Sequence, residues 1–282
     1  MATFEKLASL PEDEIDVGLG TILLARDVYP DLDIERTLAR FDELAAPLQE
    51  LRVDGHPLAQ ASLTLQAEHL REHLHVACGF NGNESDYYDP RNSLISDVLE
   101  RKLGIPITLS VVYCEVAKRL GVRARGVSFP GHFLVRLDSA HEHEKGRQPV
   151  LVDPFFGCRI LGPKELAELH AKVMGDAPIA PEALAPASGR AILHRILVNL
   201  RAVYLARNDI ARAMLTIDRI LCLTPNATEP LRERGLLSAR LGSREQALAD
   251  LERFLELAPQ AEDAAQIRER LAELKKASAP LN

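Results

Sequence analysis

The chain has 282 residues, of which 46% are hydrophobic and 27% charged, and its net charge is −7. That balance fits one or two soluble globular cores. The acidity excludes a general nucleic-acid binder, because neutralising phosphates needs a basic face and no run of Lys or Arg supplies one. The first sixteen residues, MATFEKLASLPEDEID, carry neither a basic n-region nor an apolar h-region, and no apolar stretch approaches a membrane span. Neither a secretory leader nor a membrane anchor is therefore expected. Cys78, Cys114, Cys158 and Cys222 stand far apart with no CxxC pair, so they read as free thiols of a cytoplasmic protein.

In chain order, residues 14–28 are apolar enough for a buried helix, broken by Tyr29-Pro30-Asp31. Asp33 suits the N-cap of a second helix, in which Ile34, Leu38, Phe41, Leu44 and Leu48 recur at helical spacing. A third helix is predicted over residues 58–78. The turn-rich segment Cys78 to Asn83 then leads through Asp86-Tyr87-Tyr88-Asp89-Pro90. Asn92-Ser93 fits an N-cap for a helix from Leu94 to Lys102. Gly104-Ile105-Pro106 opens an apolar run from Ile107 to Ala117, with Pro where a first helical turn tolerates it. Lys118-Arg119-Leu120-Gly121 closes that run as a helix end. Short strands should follow at 124–128, 132–137 and 149–153, then a helix at 163–173. The Pro- and Ala-rich stretch 176–190 marks a linker between a domain at 1–175 and another at 191–282.

The second domain repeats itself. Leu223-Thr224-Pro225-Asn226 returns as Leu257-Ala258-Pro259-Gln260, Ala213 as Ala247, and Asn208-Asp209 as Gly242-Ser243, each with a spacing of 34. Paired amphipathic helices on that period resemble the tetratricopeptide repeat, although Tyr204 has Ser238 as its counterpart. Residues 261–276 supply a capping helix. Two units fall short of the three or so that stand alone, so the stack should lean on the N-terminal domain.

Several residues of the first domain carry a further resemblance: Ala25-Arg26-Asp27, Tyr29-Pro30, Gly79-Phe80, Gly82-Asn83, Asn92-Ser93, Gly104-Ile105-Pro106-Ile107, Arg119-Leu120-Gly121, Phe129-Pro130-Gly131-His132-Phe133 and Asp153-Pro154. Together they resemble the bacterial SirB-type family, a branch of the transglutaminase-like superfamily found also in certain F-box proteins. The resemblance implies an α+β fold, a helical lobe packed on a small antiparallel sheet, followed by all-α tetratricopeptide-like repeats.

In active members of that superfamily a Cys starts the core helix, a His follows on a strand, and an Asp on the next strand orients it. The helix N-terminus and the His favour a thiolate, and the Asp holds the imidazole tautomer. The resemblance puts His132 and Asp153 in the second and third places. Fifteen residues before Gly121, the superfamily's usual helix length, stands Pro106, which has no nucleophile.

Thr108 or Ser110 could supply a hydroxyl in the first turn. Cys114, eight residues into the helix and about 12 Å along it from Pro106, reads as a small core residue. Cys158 could fold back toward Asp153, and Cys78 could flank the site. The alternative is a buried, hydrogen-bonded His132 in a retained pocket, with Asn92, Thr108 and Pro106 as binding residues.

The leading expectation is a non-catalytic, regulatory protein whose repeat groove takes a peptide or a partner's helix, with no cofactor, metal, nucleic acid or membrane involved. The competing expectation is a hydrolase or acyl-transferase built on His132 and Asp153 with a Ser, Thr or Cys nucleophile. A third is a zinc peptidase on His69-Leu70-Arg71-Glu72-His73, which matches HxxEH. Gly18-Leu19-Gly20 lacks the strand and third glycine of a dinucleotide loop. His141-Glu142-His143-Glu144-Lys145 reads as a solvated hairpin tip.

Overall fold

The computed structural model describes residues 2–139 and 148–276, so the segment His141 to Lys145 lies outside the described residues. The fold is α+β. It divides into two compact units, one of Leu10–Ile196 and one that joins Phe4–Ser9 to the chain from Leu197 onward.

In the first unit, α2 (Val17–Arg26) and α3 (Ile34–Gln49) begin where a carboxylate caps them: Asp16 accepts from the Leu19 amide and Asp33 from the Arg36 amide. Between α3 and the next helix, Asp54 and Gly55, both at positive φ, turn a short hairpin of β1 (Arg52–Val53) and β2 (His56–Pro57). The helix predicted over 58–78 is in fact a 3₁₀ turn at Leu58–Gln60, α4 at Leu63–Arg71, and a wider π-helical turn at Glu72–Ala77. The break has a physical cause: Ser62 takes extended backbone and its hydroxyl caps the Leu65 amide.

The two-residue β3 (Asn81–Gly82) pairs in parallel with β4 (Leu103–Gly104). Between them lies α5 (Ile95–Arg101), whose N-cap is Leu94. Asn92 and Ser93 therefore do not cap it, because Asn92 ends a separate 3₁₀ turn at Pro90–Asn92 capped by Asp89.

The central helix, α6 (Pro106–Arg119), is buried around most of its circumference, as a helix without a polar face must be. Beside it runs a four-stranded antiparallel sheet of β5 (Ala124–Val127), β6 (Leu134–Leu137), β7 (Val150–Asp153) and β8 (Arg159–Leu161), in that spatial order. Val127, Leu134, Leu151 and Leu161 pack against Leu166 and Leu169 of α7 (Pro163–Met174). Gly126, on the alternate register position, leaves room for the Phe133 ring, which a Cβ there would approach to 2.7 Å.

The stretch 176–190 is docked rather than free. Ala187 N donates to Gly126 O at 2.8 Å, Pro186 bridges Val127, and Ile179, Ala183 and Leu184 pack on the α7 side. This strap covers the outer edge of β5, which would otherwise present unpaired backbone groups. The division between units falls at Ile196, inside α8 (Gly189–Ala206), instead of at a linker.

The second unit holds the remainder of α8, then α9 (Ile210–Leu223), α10 (Thr228–Arg240), α11 (Arg244–Leu257) and α12 (Ala264–Lys276). Positions 34 apart share geometry as well as residue type. Asn208 and Gly242 both take positive φ, at 57° and 79°. Asp209 N donates to Tyr204 O, and Ser243 N to Ser238 O. Ala213 and Ala247 are both fully buried. The unit also contains α1 (Phe4–Ala8), whose Phe4 lies 5.7 Å beneath the Arg219 guanidinium. The core is closed by Ile217, Leu221, Leu231, Leu251, Phe254 and Ile267. Arg234 clamps three helices together through two 2.7 Å bonds to Asp250 and one to Asp218. Among the described residues no helix is long and apolar enough to cross a membrane.

Candidate functional site

β6 and β7 bring His132 and Asp153 together. His132 Nε2 lies 2.8 Å from Asp153 Oδ1, with Asp153 fully buried and His132 only 9% exposed. His132 sits just before β6, positioned by Gly131 at φ 67° and by its own amide, which donates to Phe129 O. Asp153 ends β7, where the chain turns sharply. Its Oδ1 also accepts from the Phe155 and Phe156 amides at 3.1 and 3.3 Å, and Arg159 approaches Oδ2 at 3.4 Å. A buried carboxylate is tolerable only with such a donor set.

Two aromatic rings bracket the imidazole. Phe156 stacks on it with an interplanar angle of 20°, and Phe155 meets it edge-on at 87°. Tyr87 and Tyr88, both exposed, extend this aromatic run through Phe155. The sequence reading missed this bracket, although the doublet Phe155-Phe156 directly after Asp153-Pro154 carries its signal.

The candidate nucleophiles are elsewhere engaged. Among the described residues no hydroxyl or thiol is in hydrogen-bond contact with the His132 ring, whose other nitrogen has no partner there. Thr108 Oγ1 lies 2.7 Å from Asn92 O and accepts from Ile105 N, tying down the start of α6. Ser110 Oγ donates to Pro106 O at 2.8 Å and borders a separate cavity that neither His132 nor Asp153 lines.

Pro106 is the first residue of α6, two positions beyond Gly104, whose strand partner Gly82 packs against the Phe155 ring. Asn92 is fully buried, but its amide serves the loop before it. It donates to Asp86 O and Tyr87 O and accepts from Asn83 Nδ2. The structure therefore joins His132 with Asp153 and commits Asn92, Thr108 and Ser110 to internal bonds.

All four cysteines are free, and every thiol is pushed toward its neutral form. Burial, with the Asp153 charge adding to it, raises Cys158 to about 12. Burial likewise raises Cys114, Cys78 and Cys222. An activated thiol shows the opposite shift. Of the HxxEH pair, His73 Nε2 bonds Leu44 O at 2.6 Å, and its helix widens into the π-helical turn at that point. Among the described residues no group of three or more His, Cys, Asp or Glu is arranged to hold a metal ion.

A profile of the transglutaminase-like superfamily matches residues 35–198, and one of the tetratricopeptide repeat matches residues 200–272. A UPF0162 protein of Xylella fastidiosa strain Temecula1 is 40% identical over 276 residues, covering 96% of this chain and 94% of that one. The chain belongs to the transglutaminase-like superfamily and, within it, to the UPF0162 proteins. A further member of the family, from Pseudomonas aeruginosa, is 32% identical over 256 residues, with 90% and 89% of the two chains covered. Among solved structures, menin aligns with 99% of this chain and 77% of its own at 12% identity and a TM-score of 0.39. The two profile matches fall one after the other along the chain, and the Xylella relative aligns across both regions.

Proposed function

We propose that this UPF0162 protein is of the SirB type and acts without catalysis, as a protein-binding regulator in the cytoplasm. Its transglutaminase-like unit is a degenerate enzyme core, and its repeats take the partner. One observation carries this reading: the His132–Asp153 pair has no hydroxyl or thiol within hydrogen-bond contact among the described residues. General-base catalysis begins with that contact. Pro106 at the start of α6 and the four raised thiols support the same reading.

The partner side rests on a groove of about 630 Å³ in the second unit. Leu205, Leu236 and Leu237 supply apolar surface there, framed by Arg232, Arg240 and Glu233. A partner helix with apolar residues on one face and charges at its margin suits those walls. The intact 2.8 Å dyad favours a second reading, a hydrolase or acyl-transferase whose nucleophile approaches His132 on substrate binding.

Two measurements separate the readings. The full chain is treated with an electrophilic acyl-transfer probe and mapped by mass spectrometry; an adduct beside His132 would overturn the non-catalytic reading. In parallel, affinity capture compares the full chain with Leu236→Asp. A partner retained by the parent and lost from the variant is expected, and equal retention by both rejects the groove.

A further inference from the structure

The first unit has an apolar recess away from the dyad. It is a cavity of about 580 Å³ along one stripe of α6, where Ser110, Val111, Cys114, Glu115 and Lys118 recur at helical spacing. β5 forms another wall, and Ile15, Phe133 and Ile192 supply apolar side chains. His132 and Phe133 are consecutive and serve different places: the imidazole faces Asp153 and the phenyl lines this cavity. The volume lies in the range of small-molecule sites, and so does the mixture of apolar wall with few polar groups.

We propose that this cavity binds a small amphipathic carboxylate, with an apolar body and a single anionic head. The charges at the cavity select that class. Glu115 pairs with Arg119 at 2.7 Å, which also holds Asp42; Lys118 pairs with Asp16 at 3.3 Å, and Arg125 with Asp138 at 2.7 Å, a carboxylate that also binds Arg136 at 2.8 Å. Arg123 also lines the cavity and has no side-chain partner among the described residues. Among the described residues Arg123 is thus the lining cation that has no carboxylate partner, and it stands at an exposed position on the cavity wall.

Ser110 spends its proton on the Pro106 carbonyl, and burial together with the Glu115 carboxylate keeps the Cys114 thiol neutral. Val111, Phe133 and Ile192 can receive an alkyl or aryl body, while Arg123 receives the carboxylate as a charge-assisted hydrogen bond. Among the described residues a dianionic phosphate would find one lining cation without a carboxylate partner, and a cationic ligand would meet Arg123 directly.

Calorimetric titration of the full chain with octanoate, octan-1-ol and octylammonium, kept below micelle-forming concentrations, tests the assignment. Octanoate should bind at one site and at least about tenfold more tightly than the alcohol or the amine. Arg123→Glu, a change at an exposed position, should weaken octanoate by about tenfold or more while leaving the unfolding temperature unchanged. Ala124→Trp should fill part of the cavity that Ala124 lines and abolish binding. Absence of saturable octanoate binding, equal affinity for the alcohol, or an Arg123→Glu protein that binds like the parent would each overturn the proposal. If Ala124→Trp fails to fold, the comparison of ligands on the parent and on Arg123→Glu decides it.

Discussion

Replacing Asp153 with alanine removes the acceptor around which the dyad is built. Four donors converge on that carboxylate: the His132 ring, the amides of Phe155 and Phe156, and Arg159. Arg159 and Phe156 are partly exposed, so water can replace their bond, whereas His132 and Phe155 are buried. Two buried donors, the His132 ring and the Phe155 amide, are orphaned at about 1–3 kcal/mol each, so Asp153→Ala should destabilise the first unit by about 2–6 kcal/mol. For a unit of this size, that corresponds to a fall of roughly 4–24 °C in Tm. Differential scanning calorimetry of the full chain reads it directly. Asp153→Asn keeps an acceptor oxygen for the two amides and should lose about 1–2 kcal/mol. A loss below about 1 kcal/mol for the alanine variant would refute a structural role for the pair.

Three other outcomes are expected. Burial alone would push the Asp89 carboxyl up, but hydrogen bonds from Arg91 and the charges of Arg101 and Arg91 outweigh it and hold the group below its ordinary value. Its stabilisation is therefore full above about pH 4 and lost as pH falls through the lower folded value; chemical denaturation should separate Asp89→Asn from the parent near neutrality and show no gap in strong acid. With Cys158 pushed up to about 12 and only 2% exposed, iodoacetamide should leave it unmodified in the native chain and label it in urea. Rapid native labelling there would contradict the burial. A Cβ on Gly82 would stand 2.6 Å from the Phe155 ring, so Gly82→Ala should cost about 1–3 kcal/mol in a thermal melt and disturb the aromatic bracket of His132.

Much of the central helix was legible because its ends are set by local chemistry. Pro106 sits at its first position, and Gly121, at φ 72°, follows its last turn. The 34-residue period was legible for the same reason, since Asn208 and Gly242 are the residue types that tolerate the left-handed turn. The approach of His132 to Asp153 needed the resemblance, because they are 21 residues apart in sequence and no local pattern links them. Thr108 and Ser110 show where local reading stops: residue type announces a hydroxyl, but only packing decides that both bind backbone carbonyls. Asn92 is a similar case, its amide claimed by a loop that the sequence shows only as turn-rich. The hairpin at Asp54-Gly55 had a recognisable turn signal that was hidden between two longer helical patterns. β8 and the strap at 176–190 depend on pairing with distant strands, which composition cannot reveal.

The membership of α1 in the second unit has a practical consequence. Because Phe4–Ser9 and the chain from Leu197 onward fold as one body, Leu10–Ile196 is topologically an insertion within it. No single cut of the backbone can release either body whole. A fragment begun at Leu197 would lack Phe4 and Leu7 from its core and start inside a helix. A rearranged chain that runs from Leu197 to Lys276 and then, through an added linker, into Phe4–Ser9 would keep the packing residues of both pieces together.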